Sequence, residues 1–217
     1  NKYRSFEEAW HQFGENGPFL EFMYLINNNQ SLPQRLSAQI DRLISERIPD
    51  SWLVLLSLVS YAGKSGCPVL FEAVKEESKC ENALSAIERM SKEYLLRSSD
   101  DGRYIEALHP LRASIIWNIL SSKITHSLSQ VLLKTVKCLE GRHPQLLLLD
   151  YFNKYPIDTE IIEKLAQIHS RDWVMFGCLI NTMLWLDVKL YVEKNQHIYN
   201  ELVTQIGKGW IVYSPFD

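Results

Sequence analysis

YLLRSSDDGRYIEALHPLRASIIWNIL, residues 94–120, is the stretch that decides the fold of this chain. Tyr94 to Arg97 and Arg103 to Leu108 are short runs rich in aromatic and branched residues. Between them lies Ser-Ser-Asp-Asp-Gly, a turn composition in which Gly102 can take a positive φ. The pattern predicts a β-hairpin that delivers His109 to Pro110. Proline suits the first position of a helix, because the N–H it lacks would have no intrahelical partner there. Leu111, Ile115, Ile116, Ile119 and Leu120 follow as an apolar stripe of helical period. A histidine set at a helix N-terminus marks a place where an anion could be held, since backbone N–H groups and the helix dipole converge there.

Upstream of the hairpin, helical patterns dominate. Pro49-Asp50-Ser51 is a break and an N-cap, and Trp52 to Ala62 is apolar almost all round, which predicts a central helix. Gly63-Lys64-Ser65-Gly66 reads as a turn, Pro68 as the start of a short helix through Val74, and Glu81 to Lys92 as a third helix. The third helix places Ala83, Ile87, Met90 and then Tyr94 along one face. Three helices, a two-stranded wing and a closing helix make a winged-helix arrangement over residues 50–121.

Residues 1–49 read as a small helical bundle. Ser5 and Glu8 form a capping-box pattern that starts a first helix ending near Gly14. Gly17 breaks the chain before Pro18, which starts an apolar helix through Ile26. Ser31 with Pro33 opens a third helix carrying Leu36, Ile40, Leu43, Ile44 and Ile48. Residues 122–217 read as helical throughout. One stripe runs from Ile124 through Leu139 to Gly141, followed by helices at His143–Phe152, Ile157–Ile168, Asp172–Val192 and Ile198–Ile206. Antiparallel helices with short loops predict a bundle or the start of an α-solenoid, without a fixed repeat. The expected fold class is therefore mainly α.

Composition narrows the function. With 217 residues, 46% hydrophobic and 23% charged, the chain is globular. A net charge of −3 gives no bulk attraction to nucleic acid or anionic membranes. The most apolar run, Trp173 to Leu186, is interrupted by Asn181 and Thr182 and is too short for a bilayer, which takes about 20 residues. Cys67, Cys80, Cys138 and Cys178 have no metal-ligand spacing, so reduced thiols in a cytoplasmic protein are expected. The start at Asn1 and the end at Ser-Pro-Phe-Asp point to an excised piece of a longer protein.

Gly63-Lys64-Ser65 imitates the tail of a P-loop, but the motif needs a glycine at position 58, which is Leu, and a preceding strand rather than a helix. No H-E-x-x-H or G-x-S-x-G occurs, and the remaining histidines are scattered. A winged helix raises DNA binding. Against it, Lys79, Arg89 and Lys92 on the third helix are cancelled by Glu81, Glu88 and Glu93, and Asp100 and Asp101 in the wing carry the wrong sign for phosphates.

Gly17-Pro18-Phe19-Leu20 in a helical domain, followed by a winged helix with Leu108-His109-Pro110 after its wing, resembles the STAND signal-transduction ATPases, which include the NACHT and NB-ARC proteins. The flanks, with Leu108 for Met and Pro110 for Asp, are similar to bacterial STAND proteins, including the antiviral (Avs) group. The resemblance covers residues 5–121 and rests on the order and spacing of two short motifs. It implies that Pro18 packs on the adenine and that His109 points at the β-phosphate of ADP, with Arg112 a weaker candidate for the same phosphate or an acidic partner surface. It further implies a lid (1–49), a winged helix (50–121) and the beginning of an arm (122–217) that leads to a sensor region. ADP or ATP, with Mg held by residues outside this chain, would bridge them to an ATPase core in the same polypeptide, and activation would produce a homo-oligomer. Walker A and Walker B elements are absent from these residues, so no hydrolysis is expected from them alone. A DNA-binding regulator and a plain helical interaction scaffold are the alternatives.

Overall fold

A computed structural model describes residues 7, 10–11, 31–156, 158–169 and 173–184. The expected helix around Pro18, the one at 198–206, and most of the first helix lie outside the described residues. Helix α1 (Leu32–Ser45) opens on a full capping box: Ser31 accepts from the N–H of Gln34, and the Gln34 side chain accepts from the N–H of Ser31. Its stripe Leu32, Leu36, Ile40 and Leu43 is completely buried. Ile44, expected on that stripe, is 37% exposed, because it lies one helical position past Leu43 and turns away from the core.

Helix α2 (Asp50–Gly63) is the centre. Every residue from Leu55 to Gly63 is buried, as its all-round apolar sequence predicts. Strand β1 (Val69–Leu70) and helices α3 (Phe71–Ser78) and α4 (Ala83–Lys92) follow. Then come β2 (Arg97–Ser98), β3 (Tyr104–Glu106) and helix α5 (Pro110–Ser121). The sheet is antiparallel with the order β1-β3-β2, Val69 opposite Ile105 and Arg97 opposite Glu106. This sequence of elements and this strand order make a winged helix.

The sheet has three strands where the sequence predicts two. Residues 69–70 are not the start of a helix; they pair with β3, and the helix begins at Phe71. A two-residue strand is too short for alternation to reveal, and it forms because the second edge of β3 offers backbone partners. Its own outer edge is covered, since Leu70 N–H donates to the carbonyl of Cys138 at 2.8 Å.

Tyr94 also departs from expectation. It lies neither on the buried face of α4 nor in a strand, but is 68% exposed with φ +55°. Tyr94 N–H donates to Ser91 O and Leu95 N–H to Met90 O, the Schellman pattern that ends a helix on a left-handed residue. The same pair of bonds closes α1 at Arg47, α2 at Gly66 and α3 at Lys79.

After α5 the chain continues through α6 (Leu128–Lys137), α7 (His143–Phe152) and α8 (Thr159–His169), and residues 173–184 are helical. Helix α6 packs on α2 and α3, and α8 packs on α6. The buried side chains from Leu32 to Met183 form one contiguous core that runs across positions 49 and 121. The fold is mainly α, as expected. Among the described residues, no helix is long and apolar enough to cross a membrane.

Candidate functional site

His109 is the N-cap of α5, held with extended backbone (φ −164°, ψ 141°) between β3 and Pro110. Its Nδ1 accepts the N–H of Leu111 at 3.1 Å. A ring nitrogen that accepts a hydrogen bond carries no proton, so the neutral imidazole bears its proton on Nε2. The residue is exposed. His109 therefore accepts from one of the free amides of the helix start through Nδ1 and keeps its one donor, Nε2–H, for a group outside.

What holds His109 in place is a glycine. A Cβ built on Gly63 would lie 2.4 Å from the Cβ of Ala107 and 3.2 Å from that of Ala113. The end of α2 can thus approach the strand-to-helix corner only because position 63 has no side chain. The glycine of this P-loop look-alike, read from sequence as a turn, is a packing residue. Its neighbour Lys64 is equally committed. The Lys64 ammonium lies 3.1 Å from Asp150 Oδ2 on α7 and 4.0 Å from the centre of the Tyr61 ring, with only a tenth of its side chain exposed.

That pair is asymmetric. Burial pulls Lys64 below the usual lysine range, and its ion pair with Asp150 only partly offsets this. Burial acts on Asp150 in the opposite sense, raising it. There, the hydrogen bond from Lys154 and the ion pair with Lys64 win and hold the carboxyl below the usual aspartate range. The difference follows from exposure and partners: Asp150 keeps more water and has two cations. Tyr61 is raised by burial, and its ring meets Trp117 of α5 edge-on at 4.8 Å. The cluster joins the end of α2 to α7 and to the helix that His109 starts.

Arg112 lies one turn into α5 but points inward. It is 7% exposed, and its Nη2 donates to Tyr94 O at 2.6 Å. It therefore supports the left-handed end of α4, a role that sequence spacing could not disclose. Pro18 lies outside the described residues. Of the three expected site residues, the structure places His109 at the surface and Arg112 beneath it.

The proposed recognition helix is also engaged. Arg89 pairs with Glu46 at 3.0 Å and with Glu93 at 3.5 Å, and Lys92 pairs with Glu88 at 2.7 Å. In the wing, Asp101 accepts from Ser99 and from the N–H of Arg103, and hydrogen bonding, led by Ser99, lowers its carboxyl. A shallow groove of about 340 Å³ between α6 and α8 is lined by Leu133, Lys137, Lys164, Gln167 and Ile168. Its two lysines are paired with Glu77 and Glu160. Among the described residues, no cluster of three or more His, Cys, Asp or Glu side chains could hold a metal ion. No family model matches this chain, and no curated protein or solved structure matches it.

Proposed function

We propose that the chain is the regulatory region of a STAND-type signal-transduction ATPase, acting in bacterial antiviral signalling. In this reading, a nucleotide is bound mainly by an ATPase core elsewhere in the polypeptide. Pro18 covers its base, and His109 donates from Nε2 to its phosphates. ADP ties the core to the winged helix, and exchange for ATP or binding at a sensor favours an arrangement in which the winged helix is released and subunits oligomerise. The observation that carries the reading is the state of His109: exposed after the wing, with Nδ1 occupied by the Leu111 amide and Nε2 left as an outward donor. Arg112 enters indirectly, by fixing the start of α5 against α4.

DNA binding has less support, because the third helix presents paired charges and the wing turn carries Asp100 and Asp101. The experiment that tests the proposal is done on the full-length parent. Its gene should encode G-x-x-x-x-G-K-[ST] after a strand upstream of residue 1, and His109→Asn should lose ADP. A parent without that motif would refute the proposal.

A further inference from the structure

Helix α1 falls within the stretch assigned to the lid by sequence, yet among the described residues its contacts are with the winged helix. Leu32, Leu36, Ile40 and Leu43 are all fully buried and belong to the same core as α2 and α5. Helix α1 packs directly on α5. Polar groups tie it at several further points. Gln39 Nε2 donates to the carbonyl of Glu93 at 3.2 Å, and Arg42 pairs with the carboxylate of the same residue. Glu46 pairs with Arg89 at 3.0 Å, and Asp41 pairs with Lys123, just beyond α5, at 2.6 Å.

The order of these effects matters. Exposed ion pairs contribute little, since water and salt screen them, whereas four fully buried aliphatic side chains supply the dominant attraction. The polar links then fix register: Glu93, just past α4, receives both Gln39 and Arg42, and Lys123, just past α5, reaches Asp41.

We infer that α1 is mechanically part of the winged helix. When the proposed nucleotide switch opens, α1 travels with α2, α4 and α5 on the side of His109. The meaning of this movement rests on the nucleotide reading above, but the mechanical coupling does not.

Two measurements separate them. Native-state hydrogen exchange on this chain should give the slowest amides of α1, α2 and α5 the same protection, within about threefold. Ile40→Ala, with Ile40→Val as the milder variant, should then lower protection in α5 by the same factor as in α1. Wild-type α1 exchanging about a hundredfold faster than α2, or a loss confined to α1 in the variants, would overturn the inference. In the nucleotide-bound parent, spin labels at Ala38 and Asn118 should keep their separation within about 2 Å between ADP and ATP; a change of about 5 Å or more would also overturn it. A parent that binds no nucleotide would remove the proposed function, while the exchange result would still decide the coupling.

Discussion

At the scale of single residues, Gly63 and His109 carry opposite lessons. The sequence marks His109 and Pro110 well, because a hairpin, a capping position and an N1 proline all point to one helix start. Gly63 is marked only as a turn, since nothing in a linear sequence tells that Ala107, 44 positions away, must approach it. Replacing Gly63 with Ala would put a Cβ against another Cβ rooted in backbone, which cannot rotate aside. Despite the better helix propensity of Ala, G63A should lower stability by about 1–3 kcal/mol, read from the urea midpoint. An unchanged midpoint would show that the corner can shift. Arg112 was legible as a cation near a helix start but not as a buried tie, because its acceptor is a backbone carbonyl in a left-handed turn.

The elements divide along similar lines. Those with a stripe and a cap, such as α1 and α6, are readable because 3.6-residue periodicity and S-x-x-Q capping boxes are local signals. Helix α2 is readable from its unbroken apolar run alone. The N-cap expected at Asp50-Ser51 does not form, since the helix already begins at Asp50 and Pro49 has no side-chain cap to offer. Strand β1 is not readable, because two residues have no period and their strand character comes from pairing with β3. Helix ends at Arg47, Lys79 and Tyr94 are equally hidden, since the usual glycine is absent from all three. The junction of α2 with α7 was missed for a related reason: Lys64 and Asp150 are distant in sequence. Asp150→Asn leaves the Lys64 ammonium without its counter-charge and should cost about 1–3 kcal/mol at neutral pH. Because the folded carboxyl titrates below its ordinary value of 3.8, the unfolded chain takes up its proton first as pH falls. The stabilisation is therefore complete above that value and is lost as pH drops through the lower folded value. Urea titrations of wild type and D150N should differ at pH 7 and converge in strong acid; a gap that persists at the lowest pH would mean the lost stability is packing.

Over the whole molecule, one core joins segments that the sequence divides at positions 49 and 121. That continuity has a chemical consequence. All four cysteines are buried, and burial pushes Cys67 and Cys138 up to about 12, with Asp150 adding to the first and Glu77 to the second. A thiol reagent should label none of the four in the native chain within minutes and all of them in denaturant. Rapid native labelling of Cys67 would show that the α2–α7 junction opens. The functional claim, by contrast, turns on a nucleotide held by residues outside this chain, and its direct test is the ADP content of the purified full-length parent. His109→Asn keeps a side-chain cap for the Leu111 amide while removing Nε2, so folding and ligand binding are separated. Wild type should carry nearly one ADP per chain, and H109N, equally stable, should lose most of it and signal without its trigger. Equal ADP occupancy in wild type and H109N would contradict the phosphate-binding role proposed for His109.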